Sequence, residues 1–230
     1  LAGQAALRTG SGLVSLATRA EHAGLATSVQ PELMAHGVET LDALDVLIDR
    51  ADVLALGPGL GQGDWARAIW QRACAAGQAR VLDADALNLL ADFDHPVCMR
   101  DAVLTPHPGE AARLLGCDMA EVQSDRFAAA RSLAERYGAV VVLKGHGTLV
   151  TRPEGDLVVC PYGNPAMASA GMGDALTGII ASLIGQGLSP FDGACCGVLL
   201  HALAGDAAAA GRRQILAGDL INHLADILPA

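Results

Sequence analysis

The stretch VLALGPGLGQGDWARAIWQRACAA, residues 53–76, decides the predicted fold of this chain. It opens with the short apolar run Val53–Gly57, crosses a glycine-rich loop, and continues in the helical pattern Trp65–Ala76. A short run that is apolar on both faces is typical of a strand in a parallel sheet covered by helices on each side. Residues 53–76 therefore predict a strand, a loop and a helix of an α/β fold.

The same alternation of strand and helix continues along the chain. The predicted elements are Val81–Asp83 then Ala86–Leu90, Val103–Thr105 then Glu110–Leu115, and Ser124–Tyr137 then Val140–Leu143. A two-stranded meander, Thr148–Thr151 and Leu157–Cys160, follows, and residues 174–230 have helical patterns. This order predicts an α/β domain with a mostly parallel central sheet and helices on both faces. We expect one domain over residues 1–230 that lacks a segment upstream, because Leu1–Arg8 already has a helical pattern.

The composition narrows the classes of function. Hydrophobic residues make up 52% of the chain and charged residues 17%, so it can bury a large core, unlike a disordered protein. A formal net charge of −10 argues against a broad nucleic-acid or anionic-membrane surface, whose phosphate charge must be met by Lys and Arg. A small phosphorylated ligand stays open, because it needs only a local pocket.

Cysteine usage and hydropathy predict the cellular compartment. The longest apolar stretch, Gly193–Gly205, is shorter than the ~20 residues of a membrane span, and no signal segment opens the chain. No CxxC pair occurs, and we interpret the cysteines as small apolar side chains in a reducing compartment. The six are Cys74, Cys98, Cys117, Cys160, Cys195 and Cys196. We expect a cytoplasmic protein.

The residues that follow each predicted strand form the candidate site, because ligands bind beyond the carboxyl ends of the strands in such sheets. The first is the loop GPGLGQG, residues 57–63. Its glycines let the backbone approach a ligand closely, and the following helix start can hold an anion. The dinucleotide-binding fingerprint fits it poorly, because Pro58 interrupts the run. A pocket wall next to a substrate and a tight structural turn both stay open.

Carboxylates and a histidine follow the next two strands. Asp83 and Asp85 could bind a metal ion or cap the next helix. Two prolines hold His107 in an extended segment between a strand and a helix, which favours a ligand contact. Glu110 begins that helix, where it could interact with the helix dipole or contact a metal ion.

Lys144 is the only lysine in a chain with fourteen arginines, and it follows a buried strand in the run KGHGT, residues 144–148. The run is not a P-loop, because a strand rather than a helix comes after it. A lysine at a strand end can be a solvated tip, but the sole lysine of an arginine-rich chain favours phosphate or nucleotide binding.

The strongest pattern is GNPAMASAGMGD, residues 163–174. It leads into a helix with apolar residues at positions 176, 179, 180, 183 and 184, so Gly171–Asp174 lie at a helix N-terminus with free N–H groups. Such a terminus holds anions, and Asp174 beside it is either a base or a helix cap. An anion hole with its own base is what phosphoryl transfer to a hydroxyl requires.

Together, five motifs resemble one enzyme family. They are GPGLG (57–61), DADALN (83–88), TPHPGE (105–110), KGHGT (144–148) and GMGD (171–174). In this order they resemble the ADP/ATP-dependent NAD(P)H-hydrate dehydratases, repair enzymes that are often fused to an NAD(P)H-hydrate epimerase. The resemblance runs from Leu1 almost to Ala230. It implies a ribokinase-like fold and a hydro-lyase that restores NADH or NADPH from the (S) form of the C6-hydrated cofactor.

The resemblance also implies the roles of individual residues. Asp174 matches a substrate contact and the catalytic base, and His107 with Gly59 or Gly61 matches the hydrate contacts. Adenine-nucleotide contacts match Lys144, Gly145, His146, Gly147, Thr148 and Gly173. ADP or ATP is then the co-substrate, with Mg²⁺ on its phosphates and Glu110 as a candidate ligand. A further family contact near an N-terminal strand has no counterpart here, so we expect an altered site.

Two competing functions share part of this pattern. A ribokinase-like small-molecule kinase would phosphorylate a hydroxymethyl group with the same nucleotide loop, but it is not expected to carry the segment Thr105–Glu110. A non-catalytic nucleotide sensor is expected to have lost the base, and Asp174 is present. From the resemblance we expect a homo-oligomer, a tetramer, and no nucleic-acid or membrane partner.

Overall fold

The computed structural model describes residues 1–92 and 99–228, so Cys98 lies outside the described residues. The first elements are α1 (Ala2–Thr9), β1 (Ser15–Thr18), α2 (Ala20–Val29), β2 (Met34–Gly37), α3 (Leu41–Ile48), β3 (Val53–Leu56) and α4 (Asp64–Cys74). The middle elements are β4 (Ala79–Leu82), α5 (Asp85–Ala91), β5 (Ala102–Leu104), α6 (Pro108–Leu115), α7 (Met119–Ser124), α8 (Arg126–Tyr137) and β6 (Val140–Leu143). The last are β7 (Thr148–Thr151), β8 (Leu157–Cys160), a 3-10 helix (Pro165–Met167), α9 (Met172–Gly185), α10 (Pro190–Ala208) and α11 (Ala217–Ile227).

The main sheet has six strands in the order β3-β4-β5-β6-β7-β8. Strands β3 to β6 are parallel, whereas β7 and β8 are added antiparallel. Strands β1 and β2 form a separate parallel pair. The predicted mostly parallel sheet is confirmed, and so is the antiparallel meander at its end.

Two apolar layers cover the main sheet. Alternate strand residues point to opposite faces, so Leu82 and Leu104 pack with α3 to α8 while Val81 and Val103 pack with α9 and α10. A further cluster joins α9 to α1, α10 and α11. Helix α9 therefore lies between the sheet and the outer helices, and its first turn is fixed against both.

Residues 15–48 contain elements that the sequence did not predict. Strands β1 and β2 are four residues long with no buried position, and α2 also buries none of its side chains. Hydrophobic periodicity is weak where neither face is buried, which explains why β1, β2 and α2 were not predicted. Helix α3 buries Leu44 and Ile48, so its pattern was present in the sequence and was missed. The predicted helix Ser124–Tyr137 begins instead at Arg126, because the Asp125 side chain accepts from the N–H of Ala128 at 2.9 Å and caps it there.

The longest apolar stretch of the sequence forms most of α10, which packs on β5 to β8 and on α9. Gly197 of this helix lies so close to Ile180 that an added Cβ would stand 2.6 Å from Ile180 Cγ1. Small residues thus allow the close helix contacts that a core poor in aromatic side chains needs. Within residues 1–92 and 99–228, no helix is long and apolar enough to cross a membrane.

Candidate functional site

The ends of the four parallel strands are joined into one edge. The N–H of Asp83 donates to the carbonyl of Leu56 at 3.0 Å, and the N–H of Thr105 donates to that of Leu82 at 3.0 Å. The N–H of Lys144 donates to the carbonyl of Pro106 at 2.9 Å. These bonds place the segments after β3, β4, β5 and β6 side by side, as the strand-end rule predicts.

A buried ion pair lies at the centre of this edge. Lys144 Nζ is 2.6 Å from Asp83 Oδ1 and 3.7 Å from Glu110 Oε2. Only 2% of the Asp83 side chain and 19% of the Lys144 side chain are exposed. Thr177 Oγ1 donates to Asp83 Oδ2 at 3.1 Å, so both oxygens of this carboxylate are occupied. The sole lysine is therefore held at one point rather than free in solvent.

Gly57 makes room for the backbone of Asp83. Its φ is +124°, and an added Cβ would stand 1.7 Å from the Asp83 carbonyl oxygen, so no L side chain fits. Further along the loop, Gly59 and Gly61 also have positive φ, but no atom lies within 4 Å of where a Cβ would stand. The first glycine is thus a packing requirement, whereas the next two border open space.

Asp85 does not cap helix α5, whose N-cap is Ala84. Its Oδ2 instead accepts from the N–H of Gly61 at 2.8 Å. Asp85 therefore binds the backbone of the glycine loop. The sequence left metal binding and helix capping open for Asp85, and capping is wrong.

His107 is the N-cap of α6. Its Nδ1 accepts from the N–H groups of Gly109 at 3.0 Å and Glu110 at 3.2 Å, while a Glu110 oxygen accepts from the His107 N–H at 2.8 Å. This reciprocal capping box fixes the imidazole, whose Nε2 lies 3.4 Å from Oε1 of Glu110, and 54% of the His107 side chain is exposed. The predicted extended backbone is confirmed, with φ −78° and ψ 167°.

Helix α9 begins with Gly171 as N-cap, in the left-handed region at φ +88°. The first bond of the helix runs from the N–H of Ala175 to the carbonyl of Gly171, so the N–H groups of residues 172–174 point out of the helix end. No described side chain caps this terminus. The interpretation of Asp174 as a helix cap is therefore wrong.

The carboxylate of Asp174 has no hydrogen bond to any described residue. Burial, and next the charge of Asp83, raise its pKa from the ordinary value, while Lys144 acts in the opposite direction. An unpaired carboxylate with a raised pKa beside the free N–H groups of a helix end is a candidate general base.

Gly173 lies where the start of α9 meets the ion pair of Lys144 and Asp83. An added Cβ would stand 3.1 Å from Lys144 Nζ and 3.3 Å from Asp83 Oδ2. The start of α9 therefore lies directly against the ion pair, which is possible because position 173 has no side chain.

The comparisons with known proteins agree with this geometry. The family model described as NAD(P)H-hydrate dehydratase matches residues 1–230. The chain belongs to this family. A Coxiella burnetii relative, named bifunctional NAD(P)H-hydrate repair enzyme, is 49% identical over 97% of this chain and 46% of its own length. A Neisseria meningitidis relative, named ADP-dependent (S)-NAD(P)H-hydrate dehydratase, is 45% identical over 76% of this chain and 60% of its own length.

Solved structures share the fold. An Enterococcus faecalis ribokinase-like superfamily protein has a TM-score of 0.90 and 28% identity, over 98% of this chain and 80% of that one. The Bacillus subtilis ADP/ATP-dependent NAD(P)H-hydrate dehydratase, co-crystallised with ATP/Mg²⁺, has a TM-score of 0.86 and 30% identity, over 98% and 82%. The predicted ribokinase-like fold and the predicted dehydratase family are confirmed.

The predicted site residues of this dehydratase-family chain fall into two groups in space. Asp83, Glu110 and Gly173 lie around Lys144, and Asp174 is close enough for Asp83 and Lys144 to shift its pKa. The others lie in the neighbouring segments: His107 before α6 with a half-exposed side chain, Gly59 and Gly61 in the loop after β3, and Gly145 to Thr148 after β6. Their contacts with ligands stay predictions.

Three residues of the site were missed by sequence reasoning. Thr177 lies one turn after Asp174, and a hydroxyl at a buried position of an apolar helix was a readable signal. His201 Nε2 lies 3.0 Å from the carbonyl of Met172, and burial lowers the pKa of this histidine to about 4, so it is uncharged at neutral pH. Arg126 contacts the loop after β6, and nothing in its sequence neighbourhood indicated this.

Proposed function

We propose that this chain dehydrates the (S) form of C6-hydrated NADH and NADPH, with ADP or ATP as the co-substrate. The observation that supports this most directly is the pairing of a lysine held at a strand end with a free carboxylate at a helix N-terminus. The chain spans about half the length of the curated relatives it matches, so the activity of the whole protein is also a proposal.

The nucleotide half of the site is built on Lys144. An ammonium group has three N–H donors, and one is used by Asp83 at 2.6 Å. Glu110 at 3.7 Å is beyond hydrogen-bond distance, so two donors remain for phosphate oxygens. The loop Gly145–Thr148 and Gly173, which lies against Lys144, complete the surface on which we place the nucleotide.

The transfer half of the site is built on the start of α9. Its free N–H groups and positive helix end stabilise negative charge on a phosphoryl group during transfer. Asp174 takes the proton from the hydrate hydroxyl as the terminal phosphoryl group of the nucleotide moves to the hydroxyl oxygen. Its raised pKa makes it a stronger base than an ordinary aspartate, and it ionises closer to neutral pH.

Phosphorylation makes the loss of water easy. Hydroxide is a poor leaving group from the ring, whereas phosphate is a good one. The lone pair of the ring nitrogen expels phosphate together with the original hydroxyl oxygen, and the departing phosphate takes the proton that the neighbouring ring carbon loses. The protein then has to supply positioning, charge neutralisation and one base, all of which the residues above provide.

The donor set fits Mg²⁺ bound mainly through the nucleotide. Around Lys144 lie three carboxylates, those of Asp83, Glu110 and Asp174. Because one lysine charge cannot offset these carboxylates and the nucleotide phosphates together, a divalent cation would neutralise the phosphate charge. The part of the chain that the structure describes holds no group of three or more His, Cys, Asp or Glu side chains placed to bind a metal ion. Mg²⁺ commonly uses one or two carboxylates plus substrate phosphates, and Glu110 would be such a ligand. Bound there, Mg²⁺ would neutralise charge on the phosphates.

We place the chain in the cytoplasm and next to an NAD(P)H-hydrate epimerase, fused or separate. The support for the partner is that relatives named bifunctional repair enzymes are about twice as long as the matched segment. An epimerase supplies the (S) hydrate from the (R) form, which suits an enzyme that acts on one epimer. A homotetramer stays a prediction, to be tested by light scattering.

The proposed function is tested by adding the chain to chemically prepared NADH hydrate with Mg²⁺ and either ADP or ATP. We expect the NADH absorbance band to return, with one phosphate released for each NADH formed. A small-molecule kinase would instead consume nucleotide only with an alcohol such as a sugar or vitamin precursor. A nucleotide sensor would bind ADP or ATP without turnover, and either result would contradict the proposal.

His107→Asn separates hydrate binding from helix capping. Asparagine is a good N-cap, so the helix start of α6 should survive, whereas the half-exposed imidazole ring is lost. We expect the KM for the hydrate to rise about tenfold or more, the loss of one hydrogen bond to substrate, with the Kd for ADP unchanged. Steady-state kinetics and calorimetry measure the two. A collapse of ADP binding would move His107 to the nucleotide half.

A further inference from the structure

The side chain of Arg126, the first residue of α8, contacts the loop after β6 and nothing charged. Its Nη1 donates to the carbonyl of His146 at 2.5 Å. Its Nη2 donates to the carbonyls of Leu143 at 3.2 Å and Lys144 at 3.4 Å. No carboxylate of the described residues forms an ion pair with Arg126.

Arg126 does not stabilise α8, the helix in which it lies. A cation in the first turn opposes the helix dipole, and the cap of α8 is supplied by Asp125. Burial also lowers the pKa of Arg126, which marks the cost of holding the guanidinium there. What offsets that cost is the set of three carbonyl oxygens of one loop.

Gly145 allows the guanidinium to come this close. Its φ is +143°, and an added Cβ would stand 3.0 Å from Nη2 of Arg126 and 3.4 Å from Cζ. The backbone conformation thus favours glycine at this position, and a side chain there would crowd the guanidinium of Arg126.

Carbonyls that face Arg126 turn the following N–H groups to the opposite side. In a trans peptide, the C=O of one residue and the N–H of the next are antiparallel. The N–H of Lys144 follows this rule, because it bonds to Pro106 on the far side at 2.9 Å. By the same rule the N–H groups of Gly145 and Gly147 point away from Arg126, and neither has an acceptor among the described residues.

We propose that Arg126 is a positioning residue for the nucleotide site. By binding the carbonyl oxygens of the loop, it orients the N–H groups of Gly145 and Gly147, next to Lys144, as donors for the phosphates. It acts through the loop and touches no substrate. Its uncompensated charge also adds positive potential beneath a loop that binds an anion. This inference rests on the proposed function, because it assigns the residue that shapes the nucleotide half of that site.

The test compares Arg126→Met with Arg131→Met. Arg131 is an exposed residue of the same helix, so its variant controls for loss of charge on α8. We expect the Kd for ADP to rise about tenfold to a hundredfold in Arg126→Met, as for loss of a charge-assisted contact, and to stay unchanged in Arg131→Met. At saturating ADP, the KM for the hydrate should change less than twofold in both variants, and kcat should stay unchanged in Arg131→Met.

A chemical rescue separates positioning from general stability. Adding guanidinium at millimolar concentration to Arg126→Ala should restore ADP affinity towards the wild type, whereas ethylammonium should not, since it lacks the planar fork. If Arg126→Met does not fold, Arg126→Gln replaces it, and a Kd equal to that of the wild type in either folded variant overturns the proposal.

The wild-type controls keep the two proposals distinguishable. A wild type that binds ADP but forms no NADH from the hydrate would contradict the proposed function, while the Arg126 proposal is still decided by the Kd values. A wild type that binds neither ADP nor ATP would overturn both.

Discussion

Asp174→Asn is expected to lower the rate of NADH formation from its hydrate by about 10²–10⁴-fold while the variant still binds nucleotide. Asparagine cannot accept the hydroxyl proton, and losing a positioned base typically costs that much. The carboxylate has no hydrogen bond to a described residue, so the substitution breaks no described contact. Single-turnover kinetics with saturating nucleotide measure the chemical step directly.

The stability of Asp174→Asn should equal or exceed that of the wild type at neutral pH. The pKa of Asp174 is raised because the folded protein stabilises the charged carboxylate less well than water does. Protonation of Asp174 is therefore more favourable in the folded state than in the unfolded state. The charged carboxylate destabilises the fold at pH values above the raised pKa, and this destabilisation disappears as the pH falls below the ordinary aspartate value near 4. Thermal melts at neutral and acid pH should show that the free energies of unfolding of the variant and the wild type differ by no more than roughly 1 kcal/mol, and that this difference becomes smaller in acid.

Asp192→Asn is the matched control for Asp174→Asn. Asp192 holds the same third position of the first turn in α10, where Ser189 is the N-cap. Its substitution should leave the activity unchanged. Near-normal turnover in Asp174→Asn would contradict the assignment of the base and direct the search to Asp83, Asp85 or His107.

Lys144→Met is expected to weaken nucleotide binding and also to destabilise the fold. Asp83 would keep a buried carboxylate with its ion-pair partner gone, and breaking a buried pair on one side typically costs about 3–5 kcal/mol. The Kd for ADP should rise tenfold or more through loss of a charge-assisted bond. Urea unfolding and calorimetry measure the two effects separately.

The double variant Lys144→Met, Asp83→Asn separates stability from binding. It removes the orphaned charge, so most of the lost unfolding free energy should return while the affinity for ADP stays low. Arg67→Met breaks an exposed ion pair with Asp92, about half of each side chain being in solvent, and should change neither quantity. Recovery of ADP binding in the double variant would contradict the role of Lys144.

The sequence predicted the main sheet and the helix at Leu1–Arg8 well, and residues 15–48 poorly. Strands such as Val140–Leu143 are buried on both faces, so their apolar runs are unambiguous, and the structure gives the same bounds. Strands β1 and β2 have no buried position, and so carry no comparable signal. The predicted helices after β3, β4 and β5 are confirmed, with ends shifted by one or two residues.

By itself the sequence determined which segments form the site, because parallel strands place their carboxyl ends at one edge and motifs after those strands must meet there. It could not determine which side chains pair across that edge. Asp83 and Lys144 are 61 residues apart, and only packing brings them to 2.6 Å. The tertiary structure also decided that Asp174 is not a cap and that Arg126 contacts a loop 18 residues away, since both depend on where helices pack rather than on local pattern.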